Sequence, residues 1–369
     1  MESMRVIHLS PTPFGSAGLF GGGERYPLEL ARALASHVEC ELVTFGPRPY
    51  QKREPAGLQI RCLRSIACIG GHPAHPVAPR LPAALAGAGI VHTHQMRSTP
   101  SRIAALASLP SRGRLVVTDH GLQGNCWGGI LPRLFDQFLP VSAYSARELK
   151  APPERTRVIY GGADPERFRP DASVTRRGVL FVGRITPHKG VDRLISALPV
   201  GAHLDIAGSS GHDPRPPERD YPLLLRQMSA DRDVAFLGAV PDEHLPALLR
   251  RVAVLVLPSV HHTCYGRSIR VSELLGLVVL EAMASGTPVI CSNLGGLPEI
   301  VQDGVTGYLV EPGNVEELHE RLAALLGDTG LAFRMGKNAR ELVIERFTWK
   351  ACAQRCLQAY EELGRRASS

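Results

Sequence analysis

The sequence predicts an α/β protein built from two parallel sheets, each covered by helices. Three observations carry that expectation. Short apolar runs alternate with amphipathic helical segments along most of the chain, which is the rhythm of βαβ units. The 369 residues exceed one ordinary domain and suit two or three. Asp-Pro and Arg-Pro dipeptides within Asp164–Ala172 break the rhythm near the middle and read as a joint. The expected division is an N-terminal domain over 1–170, a C-terminal domain over 171–348 and a last helical segment over 349–369.

In the first half, strands are expected at Arg5–Leu9, Glu41–Thr44, Ile90–Thr93, Arg114–Thr118 and Arg157–Tyr160. Glu24–Ala35 reads as a helix, with Leu28, Ala31, Leu34 and Ala35 on one face and Pro27 tolerated in the first turn. In the second half, strands are expected at Gly178–Val182, His203–Ala207, Val234–Leu237, Ala253–Leu257 and Pro288–Cys291. Helices are expected at Val191–Leu198, Glu243–Arg251, Val279–Ser285 and Val315–Leu326, and beyond Trp349 to about Glu362. The polar, Pro-rich stretch Ser209–Pro222 reads as a long loop.

With 44% hydrophobic and 21% charged residues, the composition excludes wholesale disorder, collagen-like and coiled-coil designs. Only 10 Phe, 2 Trp and 8 Tyr are present, so the cores must be mostly aliphatic. No apolar run approaches the roughly 18 residues of a membrane span. The opening Met-Glu-Ser-Met-Arg-Val has no apolar signal core. The eight cysteines (40, 62, 68, 126, 264, 291, 352 and 356) form no CxxC pair, so free thiols in a reducing cytoplasm are expected.

Positive charge is unevenly spread. Residues 1–170 carry 20 basic and 12 acidic side chains, whereas 171–369 carry 22 and 23. Leu42–Thr118 holds ten Lys or Arg against the single acid Glu54. Either the first half meets an anionic partner or this is solvated surface charge. Nucleic acid is a poor fit, because this stretch offers only Phe45 and Tyr50 for base stacking.

Three motifs carry chemistry. Gly21-Gly22-Gly23-Glu24 joins the first strand to the first helix; glycines permit close approach of a ligand, and a helix N-terminus offers N–H groups to an anion. Gly15 and Gly18 do not extend it to GxGxxG, and a plain flexible loop is the alternative. Val182-Gly-Arg184-Ile-Thr-Pro-His-Lys189-Gly190 places two cations after a strand, where parallel sheets bind ligands. Arg grips phosphate oxygens bidentately and Lys adds a point charge, although two surface cations would look the same. The run Glu273-Leu-Leu-Gly276-Leu-Val-Val-Leu-Glu281-Ala-Met-Ala-Ser-Gly-Thr-Pro-Val-Ile sets two carboxylates eight apart around a glycine. A carboxylate can accept two adjacent sugar hydroxyls, and amides near Gly276 can meet anionic oxygens; alternatively both carboxylates face solvent or favour a helix start. His261, His262 and Cys264 are read as loop residues rather than metal ligands, since no second ligand cluster accompanies them.

Taken in order, these motifs resemble the family-4 glycosyltransferases. The resemblance also rests on Pro258-Ser259, Gly295-Gly296-Leu-Pro-Glu299-Ile-Val-x-Asp-Gly-x-Thr-Gly307, Thr118-Asp-His120-Gly and Tyr160-Gly-Gly-Ala-Asp164-x3-Phe168. It spans nearly the whole chain and is most specific over 178–310. Leu275 and Gly161 depart from it where many relatives carry Phe and Asn, and Val260–Val271 is a longer insert.

The resemblance implies the GT-B fold: two Rossmann-like domains facing each other across a cleft, with a C-terminal helix returning toward the first. It implies a retaining, nucleotide-sugar-dependent hexosyltransferase, with UDP favoured over GDP. Arg184 and Lys189 would hold the donor diphosphate, with Gly22 and Gly23 and the amides of Gly276, Leu277 and Val278 assisting. Glu281 would bind the ribose, Val240 would help seat the base, Glu273 would contact the transferred sugar, and His120 would lie at the reaction centre. No metal or other cofactor is expected, because the two cations supply the positive charge. The acceptor is open; the basic first half points to an anionic or membrane-borne one, hence a cytoplasmic protein with peripheral membrane attachment as an alternative. A phosphorylase or hydrolytic relative on the same fold, or a non-catalytic nucleotide-sugar binder, are the rival functions.

Overall fold

Val6, Ile7 and Leu9 are wholly shielded from solvent in the first strand, as expected of a strand covered on both faces. In the computed structural model, residues 4–14, 21–108, 113–120, 129–210, 217–270 and 273–368 are described. The expectations that involve Gly15, Gly18, Arg112, Gly121, Cys126, residues 211–216 and Val271 lie outside them. Two units divide the chain: Met1–Gly161 with Trp349–Ser369, and Gly162–Thr348.

The first unit runs β1 (Arg5–Leu9), α1 (Gly22–Leu34), β2 (Glu39–Gly46), β3 (Tyr50–Arg53), β4 (Gln59–Arg64), a short ladder of β5 (Ala67–Cys68) with β6 (Pro76–Val77), α2 (Leu81–Leu85), β7 (Ile90–His94), α3 (Thr99–Ser108), β8 (Arg114–Thr118), β9 (Gln137–Phe138) and α4 (Ala143–Leu149). Its seven-stranded sheet has the order β3-β4-β2-β1-β7-β8-β9. Only β3 is antiparallel, as the edge strand of a hairpin with β4. Growth of the sheet reverses direction between β1 and β7, so the first unit has a topological switch point there.

The C-terminal helix, Trp349–Ser368, belongs to this first unit. Trp349, Cys352, Ala353, Cys356, Ala359, Tyr360 and Leu363 are buried, the helical spacing of one apolar face. It runs beyond the expected end near Glu362. The expected strand at Arg157–Tyr160 does not form. Arg157 N and Ile159 N donate to Phe138 O (3.0 Å) and Pro140 O (3.1 Å), but Tyr160 turns to φ 55°, a left-handed conformation that ends any extended run.

The second unit runs β10 (Val179–Val182), α5 (Val191–Ala197), β11 (Leu204–Ala207), α6 (Tyr221–Met228), β12 (Val234–Gly238), α7 (Leu245–Arg251), β13 (Val254–Leu257), α8 (Leu277–Ala284), β14 (Val289–Ser292), β15 (Gly307–Val310), α9 (Val315–Gly327) and α10 (Thr329–Arg346). Its six parallel strands have the order β12-β11-β10-β13-β14-β15, with the switch point between β10 and β13. The stretch read as a loop to Pro222 already becomes helical at Glu218 and enters α6 at Tyr221, because Tyr221 is a buried anchor whose hydroxyl donates to Asp192 Oδ1 at 2.7 Å.

The expected joint at Asp164–Ala172 is part of the second unit's body rather than a linker, and the division falls at Gly161/Gly162. Asp164 organises a turn there: its Oδ1 accepts from Glu166 N (2.9 Å) and its carbonyl from Phe168 N (2.8 Å). Phe168 is buried, and Arg340 of α10 donates to Pro165 O and Phe168 O. The proline dipeptides therefore shape a packed turn.

Candidate functional site

In the second unit the candidate residues gather at the carboxyl edge of the sheet, around the switch point. β10 ends at Val182, and a single 3-10 turn, Pro187–Lys189, leads into α5. Gly190 has φ 67°, and a Cβ there would overlap the carbonyl oxygen of Pro258, just beyond β13. The loops after β10 and β13 thus touch at a position only glycine can fill. Val260 N donates to His188 O at 2.9 Å and closes the contact.

That closure brings Lys189 to Glu273. Lys189 Nζ donates to Glu273 Oε1, and Ser259 Oγ donates to the same oxygen at 2.6 Å. Ser259 and Glu273 are buried, and the Lys189 side chain is only 12% exposed. Burial, followed by the charges of Lys189, Arg184 and Arg267, pushes the neighbouring His188 down to about 3, so it stays neutral. Arg184 is exposed at the end of β10.

Gly276 caps α8 at φ 93°, and a Cβ there would press on Leu297. The helix bonds begin with Val279 N and Leu280 N on Gly276 O, so the amides of Gly276, Leu277 and Val278 precede the first of them and suit an anion. The helix starts two residues ahead of the expected Val279, because Gly276 supplies the left-handed cap. Glu281 lies one turn further on and is buried. Val240 is half-buried beyond β12, on the same sheet edge but two strands away from β10. His261 Nδ1 and His262 Nδ1 are bonded within their own turn, to Ile269 O (3.3 Å) and Ser268 Oγ (3.1 Å).

The remaining three candidates lie in the first unit, at its own switch point. Gly21 caps α1, and Gly22 and Gly23 form its first turn. His120 follows β8, and a Cβ on Gly23 would meet its Cβ at 3.6 Å. His120 is held between Tyr26 of α1, edge-on at 4.9 Å, and the stacked ring of His94 at 5.7 Å. Tyr26 is anchored by donating to Tyr160 O at 2.6 Å.

Sequence reasoning missed the rest of this cluster. His8, His92 and His94 are buried in a triangle beside His120, with ring centroids 4.6 Å apart for His92–His94, 4.9 Å for His8–His92 and 5.4 Å for His8–His94. His8 Nδ1 lies 3.1 Å from His94 Nε2, and His92 is bonded at both nitrogens, to Tyr360 Oη and Thr118 Oγ1. Burial pushes His8 down to about 3 and His120 to about 4, and holds His92 and His94 well below their ordinary value. The ligand nitrogens of His8, His92 and His94 fall within 4.8 Å of one another. His94 stacks on both His8 and His92, and both nitrogens of His92 are engaged by Tyr360 and Thr118, so the group reads as a packed cluster of neutral imidazoles. The available signal was the alternation His92-Thr-His94 on a strand paired with His8.

Comparison with known proteins adds two family matches. A model described as glycosyl transferases group 1 matches residues 163–342, and one described as glycosyltransferase family 4 matches residues 20–167. The chain is 31% identical over 285 residues to a GDP-mannose-dependent alpha-(1-6)-phosphatidylinositol monomannoside mannosyltransferase of Mycobacterium tuberculosis, covering 68% of this chain and 70% of that one. A D-inositol 3-phosphate glycosyltransferase of Kribbella flavida is 36% identical over 57% of this chain and 51% of its own length. The chain spans about half the length of the curated relatives it matches first, 55% and 51%. Among solved structures, Anabaena HepE in complex with UDP and glucose superposes with a TM-score of 0.75 at 20% identity, over 97% of this chain and 99% of that one. Sucrose-phosphate synthase of Thermosynechococcus elongatus gives 0.76 at 24% identity, over 99% and 100%. These likenesses establish the GT-B fold.

Proposed function

Because the chain belongs to the family-4, group 1 glycosyltransferases, we propose that it moves a sugar from a nucleotide-diphosphate sugar to an acceptor hydroxyl. The observation that carries the reading is the switch point of the second unit. There Lys189 pairs with the buried Glu273, three residues ahead of Gly276, the cap of α8. Arg184 and Lys189 take the diphosphate with the amides of Gly276, Leu277 and Val278. Glu281 takes the ribose hydroxyls, Val240 borders the base, and Glu273 turns to the transferred sugar once the diphosphate engages Lys189. In the first unit, His120 hydrogen-bonds the reacting sugar, and the N-terminus of α1 at Gly22 and Gly23 serves the diphosphate. UDP is the favoured nucleotide, supported by the UDP complex of HepE; the mannosyltransferase named for GDP-mannose keeps GDP open.

Transfer proceeds with retention. The bond from the anomeric carbon to the diphosphate oxygen breaks while the acceptor oxygen bonds to the same face. The acceptor proton passes to the departing phosphate. Charge develops on that phosphate, and fixed cations beside it lower the barrier. A hydrolase-type mechanism would need two carboxylates flanking the scissile bond, whereas in this reading both carboxylates bind donor, Glu281 at the ribose and Glu273 at the sugar. Arg184 and Lys189 supply the charge that a metal would, so transfer is expected to survive a chelator; loss of activity with EDTA, restored by a divalent ion, would overturn that part. The test of the whole reading is product analysis with UDP- and GDP-sugars. Acceptor-dependent release of nucleoside diphosphate supports it, and free sugar or sugar phosphate without acceptor overturns it.

A further inference from the structure

The first unit exposes a basic and aliphatic surface that none of the assigned roles uses. Of the ten cations in Leu42–Thr118, Arg61 is paired with Glu41 (2.6 Å) and Arg114 with Asp136 (3.2 Å). Glu54, the stretch's single acid, is already held by Arg32 at 2.7 Å and by Lys52 at 3.4 Å. Arg48, Arg53, Arg64 and Arg80 stand exposed. Among them Ile66 is 63% exposed, Ile69 58% and Tyr50 41%.

The backbone gathers these residues. Gly46 pairs with Arg64, Ser65 N donates to Gly46 O at 2.8 Å, and Arg48 follows two residues after Gly46. From Arg64 the chain enters the β5–β6 hairpin. Ile66 N donates to Val77 O and Ile69 N to His75 O, both at 2.9 Å. The two isoleucines therefore project from a hydrogen-bonded hairpin rather than a loose loop, and Arg80 stands at its exit. β4, β1 and β8 all run in the same direction. The Arg64 end of the sheet is thus the edge that carries His120.

We propose that this surface, Arg48, Arg64 and Arg80 around Ile66 and Ile69, docks on an anionic lipid bilayer. Guanidinium groups meet headgroup phosphates, and the isoleucines enter the acyl boundary. A soluble polyanion would engage the arginines alone and leave both isoleucines in water, which makes the bilayer the better occupant. The docking would hold the acceptor edge of the first unit at the membrane. It stands on this surface alone, and its test reads binding rather than transfer.

The test is co-sedimentation of the full chain with vesicles of phosphatidylcholine alone or with about one-third phosphatidylglycerol. Binding is expected to the anionic vesicles, weakening as salt rises. Arg64→Ala and Arg80→Ala should each lower the partition coefficient about fivefold. The pair Ile66→Ser and Ile69→Ser should lower it at least about tenfold. All these side chains are exposed, and unchanged circular dichroism checks that the variants fold. Absence of binding to anionic vesicles overturns the proposal. So does binding that ignores the isoleucine pair, or equal binding to neutral vesicles.

Discussion

Glu273 Oε1 accepts from both Lys189 and Ser259, so the cation assigned to the donor diphosphate is held in place, charge-balanced, before donor arrives. Breaking such a pair by removing one partner leaves the other charge shielded from water. Lys189→Ala is therefore expected to lower turnover about 10²–10³-fold and to lower stability as well, read by steady-state kinetics beside urea unfolding. Near-normal turnover would remove Lys189 from the donor site. His120 sits near 4 because burial disfavours its cation, so in its proposed role it would act as a neutral hydrogen-bonding group. His120→Ala should depress kcat more than it raises the donor KM. The wild-type kcat profile should show no acid limb near about pH 6.5, the ordinary imidazole value, that disappears in this variant; finding one would contradict the neutral assignment. The carboxylates and cations were legible in the sequence because motif spacing names them. Their pairing was not, since Lys189 and Glu273 are 84 residues apart and are brought together by the glycine contact at Pro258 and the Val260–His188 backbone bond. The histidine cluster escaped for the same reason: its members come from β1, β7 and the end of β8.

At the level of elements, β4, β9 and β15 carried no expectation, and the largely buried strands β1, β2, β7, β8, β10, β11, β13 and β14 were the most readable part. Buried on both faces, they appear as short apolar runs with sharp ends. The edge strand β3 and helix α10 were not: β3 is exposed along its whole length, so no apolar pattern marks it, and α10 carries mixed charge over eighteen residues. The C-terminal helix was legible as a helix, and the resemblance implied its return toward the first domain, but no residue marked the anchoring contact. Tyr360 now shows it, since its hydroxyl meets His92 Nδ1 at 2.7 Å inside the first unit. Tyr360→Phe leaves that buried nitrogen without its partner, at a cost of about 1–3 kcal/mol. Urea unfolding followed by circular dichroism should show the loss; no change in the unfolding midpoint would mean the contact contributes little. Gly276 can be tested in the same way. Gly276→Ala forces a side chain into a left-handed backbone against Leu297, and should weaken donor binding along with stability.

For the whole molecule, the buried imidazoles set the direction of its pH response. His8 and His120 stay neutral down to about 3 and about 4 in the folded chain, and His92 and His94 are likewise lowered. The unfolded chain protonates them near pH ~6.5 and so binds more protons below that value. Stability should accordingly be full above about pH 6.5 and fall as pH drops, by up to about 1.4 kcal/mol per pH unit for each such group. Urea midpoints that do not fall between neutral and mildly acid pH would contradict the burial of the histidine cluster. The charge asymmetry also resolves at this scale. The cations proposed for the donor, Arg184 and Lys189, lie in the nearly balanced second half, while the excess lies on the first unit. The central claim is that the switch point of the second unit binds a nucleotide-diphosphate sugar. The most direct measurement is thermal unfolding with and without UDP- and GDP-sugars, for the wild type and Glu281→Ala. A bound ligand raises the apparent stability by mass action, about 2.7 kcal/mol at a hundredfold excess over Kd. The predicted result is a donor-dependent rise in Tm for the wild type that Glu281→Ala loses. No rise with any nucleotide sugar, or an equal rise in both proteins, would contradict it.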